Sequence, residues 1–348
     1  MKVGDSRRAW DDWRRPLARA DPLPLRRFHL PGAFPKATKG DKTVEASERG
    51  GGFVRVDHEG PVAVVSIQNP PVNVLSRAVL KDLGKALVTL AGESEVRCLL
   101  LRGEGDKAFS AGADIREMAG MGPEEAWRHS RRGQAVTNLL EYHPLPAVAA
   151  VQGYCLGGGC ELILACDFVI ASQTAVFGQP EINIGIFPGW GGSVRLPRLI
   201  GATRARYWIY TGAQIPAEEA RRDGLVLEVV PPERLFSEAL SLAQRLAQKP
   251  ALALTAAKAL LLGSIDPHRE GRLESERNAW GSLFGTPDQR EGMAAFREKR
   301  SPQFVPREPV LPRPLDWVAE RQNRFHEAAR LLDLGDVPPV SPGAGGKT

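Results

Sequence analysis

Between Phe53 and Lys299 this chain alternates. Short apolar runs suited to buried strands take turns with longer segments of helical period. "FVRVDHEGPVAVVSI" reads as two strands about a Glu-Gly turn. "SRAVLKDLGKALVTLA", from Ser76, spaces its apolar residues three and four apart and predicts a helix. "VRCLLLRG" from Val96 and "PAVAAVQG" from Pro146 are short and mostly apolar, as strands covered on both faces must be. "PEEAWRHSRRGQAVTNLLEYH" predicts another helix, and "DFVIAS", "AVFG" and "LVLEVV" predict further strands. From Pro232 to Arg300 nearly everything fits a helical pattern. Strands alternating with helices, then helices alone, imply an α/β core with a helical C-terminal part.

Outside that body the composition changes. Residues 1–50 hold twelve Lys or Arg against seven Asp or Glu, so their net charge of +5 equals that of all 348 residues. Rich in Pro, Arg and Gly and without a period, they predict a flexible basic arm that makes a poor secretory signal. "SPQFVPREPVLPRPL", from Ser301, has five prolines in fifteen residues and predicts an extended linker. A helix from about Asp316 to Leu334 follows, with Gly335 as its stop. The last residues, "PVSPGAGGKT", predict a disordered tail. Their Gly-Lys-Thr is no phosphate loop, because Ser341 stands where that motif needs Gly. No membrane span is expected without a run of ~18 apolar residues. Cys98, Cys155, Cys160 and Cys166 form no CxxC pair, which predicts reduced thiols in a cytoplasmic protein.

Three turns carry the candidate chemistry. In "GYCLGGGCEL", a strand ending at Gly153 and a helix beginning near Gly158 put a strand-to-helix turn at Gly157 to Gly159. The first N–H groups of a helix have no intrahelical partner and lie at the positive end of its dipole. Such a turn suits an anion or a developing oxyanion, although tight helix-on-sheet packing asks for glycine equally. In "DKAFSAGADIREM", from Asp106, an N–H near Ala113 is free for a ligand or belongs to an ordinary small-residue loop. In "FGQPEINIGIFPGWGGSVRLP", from Phe177, Glu181 sits among apolar residues that would raise its pKa. Glu161 lies in a first helical turn, where an isolated carboxylate complements the dipole.

With "RLPRLIG" and "EGMAAFREKRSPQF", these stretches resemble the enoyl-CoA hydratase/isomerase, or crotonase, superfamily over about Phe53 to Phe304. The resemblance implies a crotonase-like spiral of ββα units in residues 51–248 and a helical oligomerisation region in 249–304 that builds trimers or hexamers. The arm 1–50 and the linker, helix and tail of 305–348 fall outside it. It implies an oxyanion hole made by the N–H groups of Ala113 and Gly158. Glu161 would activate water, Glu181 would exchange the proton at C2, and the Gly189 N–H would help hold the water. Lys107, Ala111, Ala113, Asp114, Ile115, Gly157 and Gly158 would contact the acyl-CoA. Phe296 and Lys299 would reach a neighbouring subunit's CoA, Lys299 being equally readable as a solvated charge. Trp190, where many simple hydratases have Ala, would shorten the acyl pocket or pack outside it. No metal or other cofactor is implied, since CoA arrives with the substrate, and neither nucleic acid nor membrane is an expected partner. Two other readings are a 3,2-enoyl-CoA isomerase, which needs only one carboxylate, or another enolate-forming activity of the family, and an RNA-binding protein on a hydratase scaffold using the basic arm.

Overall fold

A computed structural model of the chain describes residues 52–263, 316–332 and isolated positions between 287 and 303. The basic arm, most of the Pro-rich linker, the tail, Phe296 and Lys299 lie outside the described residues. The main sheet has six strands: β1 (Val54–Glu59), β2 (Val62–Ile67), β3 (Cys98–Gly103), β5 (Ala147–Val151), β7 (Phe168–Ser172) and β10 (Glu228–Val230), side by side in that order. The first pair is antiparallel and all later pairings are parallel.

Both faces of the inner strands are covered, which is why β2, β3, β5 and β7 read as mostly apolar runs, whereas the edge strand β1 is polar and largely exposed. Ala63, Val65, Ile67, Leu99, Leu101, Ala147 and Ala149 face one core; Val62, Val64, Cys98, Leu100, Val148 and Ala150 face the other. The first face packs on α1 (Arg77–Gly92) and α3 (Pro123–Glu141), and the second on α8 (Leu235–Ala247). Ser76 caps α1 by accepting the Val79 N–H at 3.3 Å. Leu80, Leu83, Leu87 and Leu90, three and four apart, are fully buried. Burying each contributes roughly 1.5–3 kcal/mol. Ala239, Ala243 and Ala247 let α8 lie close against the second face.

A second sheet is the main departure from the sequence reading. It consists of β4 (Ala108–Ser110), β6 (Tyr154–Leu156), β8 (Val176–Gly178) and β9 (Ile215–Pro216), in that order. β4, β6 and β8 run parallel. The strand expected to end at Gly153 therefore ends at Val151, and a separate strand precedes the glycine turn. "LVLEVV" is strand only over Glu228–Val230, because Leu227 leaves the ladder after one bond to Val169. Each of β3, β5 and β7 feeds one short strand of the second sheet. The chain then turns into α2 (Ile115–Met118), α4 (Gly158–Ile163), or a 3-10 turn (Pro180–Ile184) followed by α5 (Gly192–Ile200).

Beyond these units lie α6 (Ala202–Thr211), α7 (Ala217–Arg222) and α9 (Ala251–Gly263). The last described element is α10 (Asp316–Leu331), three residues shorter than the helix read to Leu334. It docks on α3. Phe325, Ala328, Ala329 and Leu332 join the first core, and Phe325 meets His143 edge-on at 5.7 Å.

Candidate active site

Because β4, β6 and β8 are parallel neighbours, their C-terminal ends share one edge. That is where parallel sheets hold ligands. β4 delivers Ala113, β6 delivers Gly157 and Gly158, and β8 delivers Glu181. The first two turns touch: a Cβ on Gly112 would lie 2.8 Å from the Leu156 oxygen and 3.3 Å from the Gly158 nitrogen. The N–H groups of Ala113 and Gly158 meet no protein acceptor among the described residues.

Each of the three consecutive glycines answers a different constraint. Gly157 caps α4 at φ 50°, which disfavours a side chain, and a Cβ there would lie 3.2 Å from Glu181 Oε1. A Cβ on Gly158 would lie 2.4 Å from Trp190 Cζ3. One on Gly159 would lie 2.5 Å from the Ser110 oxygen, where α4 crosses β4. Open backbone and tight packing, alternatives in the sequence, thus coexist within one turn.

Glu161, one helical turn on, is 2% exposed. Its Oε1 accepts the N–H groups of Trp190 and Gly192, both at 2.7 Å. Burial pushes its carboxyl up to about 7, against the opposing pull of those two donors and of Arg195. Glu181 is pushed up to about 8, first by burial and then by the charge of Glu161. Gln179 is fully buried beside Glu181, and the amide orientation that satisfies both groups turns its nitrogen to donate to Glu181 Oε1 (3.0 Å) and Oε2 (3.3 Å). Two carboxyls that resist joint ionisation therefore flank a turn whose N–H groups are unspent.

The glycine loop after Glu181 is fastened to α3. Ser130 Oγ and Gln134 Nε2 donate to the Gly189 oxygen at 2.6 and 3.1 Å, and Thr137 Oγ1 donates to the Trp190 oxygen at 2.8 Å. Positions 130, 134 and 137 share one helix face. Trp190 is 3% exposed, wedged between Gly158 and Gly133, with the His129 ring 5.5 Å away. Asp114 caps α2 through the Arg116 N–H and pairs with the Arg116 guanidinium at 2.8 Å, which holds its carboxyl below the usual range. Ala111 and Ala113 are half-buried, whereas Lys107 and Ile115 are exposed. Sequence reasoning missed Gln179, Thr137 and Arg195. Gln179 stands inside a quoted motif, but nothing in the sequence shows which way its amide faces.

Among the described residues no cluster of three or more His, Cys, Asp or Glu is arranged to hold a metal. No described helix is long and apolar enough to cross a membrane. Residues 57–307 match the sequence model of the enoyl-CoA hydratase/isomerase family. The chain is 41% identical over 251 residues to a crotonyl-CoA hydratase of Syntrophomonas wolfei, covering 72% of this chain and 96% of that one. It is 40% identical over 248 residues to a short-chain-enoyl-CoA hydratase of Clostridium acetobutylicum, covering 71% and 95%. The crystal structure of an enoyl-CoA hydratase from Bacillus anthracis superposes with a TM-score of 0.70 at 39% identity, over 72% of this chain and 98% of that one. Parallel strand ends, paired turns and sequence agree, and the chain belongs to the enoyl-CoA hydratase/isomerase family.

Proposed function

We propose that this protein is an enoyl-CoA hydratase, adding water syn across the double bond of a 2-trans-enoyl-CoA to give a 3-hydroxyacyl-CoA. The observation that carries the reading is a buried carboxyl, Glu161, and a half-buried one, Glu181, beside two unspent N–H groups. Near neutral pH the pair ionises first at Glu161, which two N–H donors favour, while Glu181 keeps its proton longer. Glu161 takes a proton from water as the water oxygen bonds to C3, with the Gly189 N–H helping to hold that water. The displaced electron pair moves onto the thioester oxygen, held by the Ala113 and Gly158 N–H groups. Glu181 then gives its proton to C2. Both carboxyls work from one face, so the addition is syn, and the single proton now on Glu161 then passes back to Glu181 to restore the starting state.

The reaction needs no metal and no cofactor beyond the CoA of the substrate. That CoA follows Lys107 to Ile115, with Phe296 and Lys299 contributed by a neighbouring subunit. Trp190 against Gly158 favours short acyl chains, in keeping with the names of the crotonyl-CoA and short-chain relatives. Residues 249–304 serve oligomerisation into a trimer or hexamer in the cytoplasm. Exposed Ile182, Ile184, Ile186, Phe187, Leu199 and Tyr210 supply apolar surface suited to a second copy.

Crotonyl-CoA tests the reading. The protein should remove its conjugated thioester absorbance, and Glu161→Gln and Glu181→Gln should each slow this by about 10³-fold or more, at the level of general acid–base catalysis. Wild-type activity in either variant would refute the assignment.

A further inference from the structure

Arg195, on α5, touches neither Glu161 nor Glu181 by hydrogen bond, yet it is 7% exposed and makes four bonds through its two Nη atoms to the glycine loop and α3, while its buried Nε meets no partner among the described residues. Its Nη1 donates to the Trp190 oxygen at 3.1 Å and to Thr137 Oγ1 at 3.2 Å. Its Nη2 donates to Asn138 Oδ1 at 2.7 Å and Glu141 Oε2 at 2.5 Å. Thr137, Asn138 and Glu141 all lie on α3. One buried cation thus binds α5 to α3 with a peptide of the glycine loop gripped between them.

Which peptide it grips is the point. The peptide joining residues 189 and 190 gives one N–H to Glu161, and the one joining 191 and 192 gives the other. Arg195 and Thr137 hold the peptide in between, through the Trp190 oxygen. The loop lies flat on the guanidinium: Gly191 is at φ 111°, and a Cβ there would lie 2.0 Å from Nη1. A buried ion pair adds little net stability over apolar side chains of equal volume, so stability alone does not account for it.

We propose that Arg195 is a positioning residue for Glu161: by fixing the 190–191 peptide it keeps two N–H donors aimed at one carboxylate oxygen. This rests on the reading of Glu161 as the base. The charge of Arg195 also favours ionised Glu161. Beside Glu181 on the 3-10 turn, the elements packed against α4 carry Arg128, His129, Arg131, Arg132 and Glu141 (α3), Tyr154 and Cys155 (β6) and Arg198 (α5), and β4 carries none; of the cations, Arg195 is the one whose charge acts on Glu161. Glu141 pairs with Arg195, and burial drives His129 towards its neutral form, so Arg195 is the cation the site relies on.

The test uses Arg195→Met, Arg195→Lys and Thr137→Val in the full chain. Two readouts are taken: kcat and KM with crotonyl-CoA across pH, and the Glu161 titration midpoint by carbon-13 NMR without ligand. Arg195→Met should lower kcat about 10- to 100-fold, as misplaced catalytic groups do, while KM changes less than about threefold. Its midpoint and the acid limb of the rate profile should rise together by about one pH unit. Arg195→Lys should restore the midpoint but not kcat, because an ammonium keeps the charge without the planar fork. A folded Arg195→Met protein with wild-type kcat and midpoint would overturn the proposal. If that variant does not fold, Thr137→Val decides, since it removes one of the two donors on the Trp190 oxygen. An unchanged kcat and midpoint there overturns the proposal equally. A wild type that hydrates no enoyl-CoA would overturn the hydratase reading instead, leaving the midpoints to decide the role of Arg195.

Discussion

Glu161→Gln should end hydration and at the same time steady the fold in mild alkali. Burial displaces this carboxyl from 4.5 to about 7. At 1.36 kcal/mol per pH unit, keeping it ionised in the folded chain costs about 3 kcal/mol. The folded value is raised, so the protonated group is the stabilised one. Below pH 4.5 both folded and unfolded chains carry the proton and there is no cost. Between 4.5 and about 7 the unfolded chain ionises first and the wild type loses stability; above about 7 the whole cost is in place. Glutamine does not titrate. Its Oε1 still accepts from Trp190 and Gly192, while its amide nitrogen lacks an acceptor and lowers stability by roughly 1–3 kcal/mol at every pH. The slope is therefore the readout. From pH 4.5 to 8.5, variant stability minus wild-type stability should rise by about 3 kcal/mol. Glu181, freed from a neighbouring charge, shifts down and adds in the same direction. Denaturant titrations at a series of pH values and one protein concentration measure this. Parallel curves for the two proteins would show that Glu161 is not a destabilised buried acid.

Two more outcomes follow from the same geometry. Hydration should peak between about 7 and about 8, where the pair holds one proton, and a plateau extending well above pH 9 would remove Glu181 as the acid. Gly158→Ala places a Cβ 2.4 Å from Trp190 Cζ3 and should cost about 1–3 kcal/mol in thermal or denaturant stability. Adding Trp190→Ala should relieve that clash and extend activity to longer acyl chains; additive stability losses would deny the contact.

The main sheet and its helices were legible because they obey long periods. β2, β3 and β5 are mostly apolar runs, and α1 repeats leucine along one face. The second sheet was not legible as a sheet. Strands of two or three residues are too short to show alternation, and β4 and β6 hide inside glycine-rich motifs. The turns themselves could be found, since glycine between a strand and a helix is a local signal. What the sequence left open was the use of each glycine, which depends on partners as distant as Trp190 and Ser110. Arg195 illustrates the same limit. Its motif was visible, but Thr137, Asn138 and Glu141 lie 54 to 58 residues away, and only folding brings them to one guanidinium.

The docking of α10 means that shared ancestry and cooperative folding draw different borders on this chain. The family match ends at residue 307, yet Phe325, Ala328, Ala329 and Leu332 complete the core behind α3. Arg324 covers the Tyr142 ring at 5.5 Å, just past the end of that helix. The same helix carries the side chains that fasten the glycine loop. A protein cut at the inherited border would keep every residue of the candidate site and uncover apolar surface on the helix that steadies it. The unit that evolution copied is shorter than the unit that folds.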